Sequence, residues 1–153
     1  MRTILLLPFL LAACGEPPTV ACSSDIEEVY AETARRVPGF GGLFLGGRGT
    51  VHVFMTSGEL KDAERALALA RPCIDPPIGE VRQIIPVTGD YDYRDLRTWR
   101  DTLVEALPDL DVSIRTNSNR IHIAYMDRPD RARIESTVRQ TDVPPDAVLV
   151  AGP

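Results

Sequence analysis

Apolar and polar positions along this chain switch between two periods, and they do so in the same order twice. Ile26, Val29, Tyr30, Thr33 and Val37 recur at helical spacing. Ser23, Ser24 and Asp25 precede them as N-cap candidates, and Pro38-Gly39 ends the run. Gly41 to Leu45 and Thr50 to Met55 read as strands around the turn Gly46-Gly47-Arg48-Gly49. Thr56 to Glu59 has the T-x-x-E form of a capping box. It opens a helix whose apolar face is Leu60, Ala63, Leu67 and Ala70, with Pro72 as its stop. Pro76-Pro77 mark a loop, and Val81 to Val87 form a third strand.

The second half follows the same sequence of elements. Asp92 caps a helix carrying Leu96, Trp99, Leu103 and Leu107 on one face, and Pro108 ends it. Asp111 to Arg115 and Arg120 to Met126 are strands around Asn117-Ser118-Asn119. Asp127 caps a helix with Pro129 in its first turn, where a missing N–H costs little, and Ile134 and Val138 mark its inner face. Pro144-Pro145 lead to a last strand, Ala147 to Ala151.

These elements predict an α+β protein built from a duplicated αββαβ unit, residues 24–88 and 89–153. The halves align with Val51-His52-Val53 on Ile121-His122-Ile123 and Met55-Thr56 on Met126-Asp127. The strand at 81–87 can also open the second half. Residues 81–151 then read βαββαβ, a split-βαβ or ferredoxin-like plan, with antiparallel sheets and the helices on one face.

The chain before these units is of a different kind. Arg2 supplies a positive start, Ile4 to Ala13 are apolar apart from Pro8, and Leu11-Ala12-Ala13-Cys14 follows. The run is too short to span a bilayer, which takes about 20 apolar residues. It has the length of a signal-peptide core with small residues before the cleavage point. Leu-Ala-Ala-Cys resembles the bacterial lipobox. The resemblance implies a signal peptide at 1–13, acylation of Cys14, and a lipid-anchored envelope protein with a spacer at 14–23. Gly15, in place of the aspartate associated with inner-membrane retention, favours the outer membrane.

A mature chain of about 140 residues suits one domain or two very small ones. The formal net charge of −5 and pI near 5.0 give no footprint for nucleic acid. With Cys14 acylated, Cys22 and Cys73 remain. In an oxidising envelope they read as one disulfide, the alternatives being two free thiols or a redox pair.

The sequence carries no recognisable catalytic set. His52 and His122 occupy equivalent places and read as outward-facing strand residues rather than metal ligands or bases, since zinc takes three or four ligands. Asp90 and Asp92 read as helix-capping acids rather than an acid–base pair. Arg94, Arg97 and Arg100, with Asp95 and Asp101 nearby, read as a solvated helix face. Trp99 reads as core packing. No cofactor or metal site is expected.

Several segments together carry a family resemblance: Val37-Pro38-Gly39-Phe40-Gly41-Gly42-Leu43-Phe44; Tyr91-Asp92-Tyr93 with Leu96 and Trp99-Arg100-Asp101; Asn119-Arg120-Ile121; and Val143-Pro144-Pro145-Asp146-Ala147-Val148. Their order over residues 24–152 resembles the pro-regions of secreted chymotrypsin-like bacterial proteases of the α-lytic and streptogrisin type. It also resembles free-standing envelope proteins built from the same module. The resemblance implies a non-enzymatic protein-binding module whose C-terminal sheet and tail engage a secreted serine protease, as inhibitor or folding assistant. No protease domain follows within this sequence, which ends at Pro153. The alternative is a structural or assembly protein of the envelope with no protease link. The expected partner surface is Val148, Leu149 and Val150 with Gly152 and Pro153, either as an exposed sheet edge or as a strand paired inside the sheet.

Overall fold

A computed structural model describes residues 22–74 and 78–152. The element order is α1 (Ile26–Arg36), β1 (Phe40–Leu45), β2 (Thr50–Met55), α2 (Leu60–Ala70), β3 (Gln83–Thr88), α3 (Tyr93–Ala106), β4 (Asp111–Arg115), β5 (Arg120–Ala124), α4 (Arg128–Gln140) and β6 (Val148–Ala151). This is an α+β protein in which the order αββαβ occurs twice.

Each unit holds a three-stranded sheet, ordered β1-β2-β3 and β4-β5-β6. The sheets are mixed, which corrects the expectation of antiparallel sheets. β1–β2 and β4–β5 are antiparallel hairpins, whereas β2–β3 and β5–β6 are parallel. The reason is connectivity: α2 and α4 carry the chain back across the sheet before the third strand, as in any parallel crossover. β3 is bonded to β2 and lies in the first sheet alone, so the ferredoxin-like plan with a strand at 81–87 shared between the halves is not formed.

One strand face carries each core. Val51, Val53 and Met55 of β2 are fully buried with Ala63, Ala66 and Ala70 of α2 and Ala34 of α1. Ile121 and Ile123 of β5 are fully buried with Leu96 and Leu103 of α3 and Ile134 of α4. Ile114 packs against both clusters. The parallel registers are superimposable: Val51↔Ile84, His52↔Ile85 and Val53↔Pro86 in the first sheet match Ile121↔Val148, His122↔Leu149 and Ile123↔Val150 in the second. Carried forward, this register sets Tyr125, not Met126, on Met55. Accordingly Met55 is buried and Met126 is 86% exposed, which corrects the Met55–Met126 alignment.

Local chemistry explains the helix starts. Asp25 caps α1, accepting from the Glu27 N–H at 2.9 Å, and Asp92 caps α3, accepting from the Arg94 N–H at 2.8 Å. Asp127 caps α4, accepting from the Asp130 N–H. The T-x-x-E capping box at Thr56 does not form. The Gly58 N–H closes a turn onto the Met55 carbonyl, and Gly58 takes φ +68°, so α2 begins only at Leu60 with Glu59 as N-cap. The Ser57 hydroxyl accepts from the Glu59 N–H and donates to Asp62 instead.

Two features lock the units together. The first is aromatic. Tyr93, in the first turn of α3, inserts into the first core, edge-on to Tyr30 with centroids 5.4 Å apart. Tyr30 is in turn edge-on to Phe40 at 5.7 Å. The second is polar. Asn119 is 1% exposed, and its side chain accepts from the Tyr91 N–H at 2.9 Å. It also donates to the Gly41 and Tyr91 carbonyls at 3.1 and 2.9 Å. A Cβ at Gly41 would lie 2.4 Å from the Asn119 amide nitrogen, so only glycine lets the two backbones approach this closely. Asp92 adds a long-range bond by accepting from the Gly39 N–H at 2.9 Å.

Candidate functional site

β6 ends the second sheet, with β5 on one side and no strand on the other among the described residues. In a parallel ladder the N–H and C=O of one residue point to the same side, and successive residues alternate. The Tyr125 N–H donates to the Ala151 carbonyl at 3.0 Å, so Leu149 and Ala151 face β5. Val148 and Val150 therefore turn their main-chain groups to the free side. The Val148 N–H is already used, donating to the Pro145 carbonyl. What the edge presents is the Val148 carbonyl and both main-chain groups of Val150. Among the described residues β6 is thus an edge strand rather than one paired on both sides.

Side chains divide as the register demands. Val148 and Val150 pack against the second core, while Leu149 stands on the opposite face, 43% exposed, beside His122. β6 carries no charge and no proline of its own. Its approach is fixed by the turn Pro145–Ala147, with Ala147 fully buried. The Tyr91 phenol lies near that turn. Burial chiefly, and then the Asp146 carboxylate, push it up to about 12.

Beyond β6, Gly152 lies under the Tyr125 ring, and a Cβ there would come within 2.4 Å of three ring atoms. The same ring borders a cavity of about 620 Å³, with Met126, Arg128, Arg131 and Glu135 around it. Pro153 and Cys14 lie outside the described residues. A second cavity, about 410 Å³, sits at α1 beside Cys73, but Arg35 and Arg36 on its wall are paired with Glu32.

The remaining sequence candidates are placed as follows. Cys22 and Cys73 form a disulfide with their Cα atoms 4.9 Å apart, joining the approach to α1 to the turn after α2. His52 and His122 are half-buried on the outward faces of β2 and β5. The His52 ring stacks on Phe44 with centroids 4.5 Å apart, and His122 Nδ1 is buried without a hydrogen bond among the described residues. No group of three or more His, Cys, Asp or Glu side chains is placed to hold a metal among the described residues. No described helix is long and apolar enough to cross a membrane.

Two of the three α3 arginines do not belong to a solvated face. Arg97 is paired with Glu28, and Arg100 with Glu27 at 2.8 Å, both in the first turn of α1, whereas the exposed Arg94 side chain reaches back to Asp92 at 3.1 Å. Arg97 holds the Glu28 carboxyl below its usual range, chiefly by donating a hydrogen bond to it. Asp90 does not take part in capping. It pairs with Arg120 at 2.5 Å, and that guanidinium lies 4.9 Å above the Tyr91 ring. Trp99 packs edge-on to Tyr91, with ring centroids 5.2 Å apart. The sequence places Asn119 in a turn and in the Asn119-Arg120-Ile121 segment, but gives it no contact with the first unit. Its one local signal was its place at the end of an Asn-Ser-Asn turn, where it takes φ +54°.

No family model matches this chain, and no curated protein matches it at a significant level.

Proposed function

We propose that this chain is a non-enzymatic, lipid-anchored binding module of the bacterial envelope, and that it receives an extended segment of a partner protein along β6. The observation that carries the reading is the main chain at Val150, unpaired by any strand among the described residues, on a strand with none of the charges or prolines that usually blunt an edge. Strand addition draws affinity from such main-chain groups and selectivity from the neighbouring side chains, here Leu149 and the surroundings of Tyr125. The lipobox-like leader supplies the membrane anchor. The pro-region resemblance suggests a secreted serine protease as the partner, with inhibition or folding assistance as the consequence.

The test uses a purified protease of the α-lytic type. The wild-type chain is expected to slow hydrolysis of a chromogenic peptide or to raise the yield of refolded protease. Val150→Pro, which removes the central edge donor, is expected to do neither. If the wild type changes neither quantity, the protease partner is wrong and the envelope-assembly reading takes its place.

A further inference from the structure

We infer that the chain accepts one strand rather than two, because Pro86 closes on the first unit the edge that Val150 leaves open on the second. This rests on the strand-addition reading above.

The two units present equivalent third strands. Among the described residues β3 ends its sheet as β6 does, with no strand on its outer side. The Gly89 N–H donates to the Met55 carbonyl at 3.0 Å, which fixes the alternation along β3. Gln83, Ile85 and Val87 face β2, while Ile84, Pro86 and Thr88 face outwards. Pro86 opposes Val53, just as Val150 opposes Ile123. The central outward donor of β6 is thus replaced in β3 by a ring nitrogen with no proton. A proline here costs the β2–β3 ladder nothing, because its nitrogen points away from β2. An incoming strand would lose the middle hydrogen bond and would meet the ring. Without Pro86, the run Gln83-Ile84-Ile85-Pro86-Val87-Thr88 would be an uncharged edge rich in β-branched residues, of the kind that accepts a further strand.

The partner class is therefore an extended polypeptide segment, bound once per chain. The probe is a displayed library of eight-residue peptides selected on the wild-type protein, with stoichiometry of the selected peptides read by calorimetry. The expected result is one site on wild type, and binding weakened about tenfold or more in Val150→Pro. Pro86→Val is expected to show two sites. Circular dichroism confirms the fold of each variant. Slowed amide exchange at Val150 on peptide binding reads the same site on wild type, should Val150→Pro not fold. Selected peptides indifferent to Val150→Pro that also leave Val150 exchange unchanged, or no selected peptide at all, would sink the strand-addition reading and this inference with it. Peptides that need Val150 but still bind Pro86→Val at a single site would leave that reading standing and overturn the role given to Pro86.

Discussion

Replacing Asn119 by alanine is the sharpest test of how the two units are joined. The substitution deletes three hydrogen bonds, two to Tyr91 and one to Gly41, within the buried joint. At about 0.5–1.5 kcal/mol net for each bond, the loss is roughly 1.5–4.5 kcal/mol. Alanine keeps the same Cβ at φ +54° but lacks asparagine's tolerance of that region, which adds modestly to this loss. The expected destabilisation is about 2–5 kcal/mol, a large share of the ~5–15 kcal/mol that holds a typical domain. Asn119→Gly separates the contributions. It loses the same bonds but tolerates the backbone, so it should be less destabilised than alanine by about 1 kcal/mol. Urea unfolding followed by circular dichroism measures both variants against wild type, with the slope of the transition checked for change. A cost below about 1 kcal/mol for alanine would refute the claim that this side chain holds the joint. Equal costs for alanine and glycine would refute the backbone part alone.

Three further outcomes are expected. Removing the Cys22–Cys73 bridge as a double serine variant should lower stability by about 4 kcal/mol, because the bond closes a separation of 51 residues in the unfolded chain; unfolding of wild type with and without reductant gives the same quantity independently. Glu28 is held below its usual 4.5 by Arg97, so its ionised form is favoured by the fold. That contribution is present above the unfolded value and is lost as pH falls through the lowered native one, and Glu28→Gln should flatten the acid limb of a melting-temperature profile between pH 7 and 3; an unchanged limb would remove this pair from the account. Cys14→Ser should move the protein from the membrane fraction to the soluble fraction of fractionated cells, and an unchanged distribution would refute lipid anchoring at that cysteine.

The order of elements was legible because periodicity reports burial directly, and Val51, Val53, Ile121 and Ile123 are buried as their alternation requires. The disulfide was legible from cysteine parity on the expectation of an oxidising compartment. Strand direction was not, since a short crossover helix and a hairpin turn leave similar marks on the strand itself. The capping box at Thr56 failed because Gly58 closes a turn before the helix can begin. Arg97 and Arg100 depart from the expected solvated face because their partners, Glu28 and Glu27, lie on another helix about 70 residues earlier, and local charge pattern cannot name a distant acid. Asn119 was missed for the same reason: its Gly41 contact spans 78 residues. Pro86, by contrast, was there to be read, since proline within a strand already places that strand at an edge.

Duplication explains why so few side chains separate the roles of the two units. At the hairpin turns, Gly49 and Asn119 stand in equivalent positions one residue before β2 and β5, and both have positive φ, +79° and +54°. Glycine satisfies that geometry with no side chain to spend elsewhere. Asparagine satisfies it too, and its amide is then free to bind the first unit. At the third strands, Pro86 and Val150 hold the same register position with opposite consequences for the open side of the sheet. The backbone plan is common to both copies in each comparison. The difference lies in a single side chain: one residue makes the second unit the partner of the first, and another keeps the first unit from competing with the second for a strand.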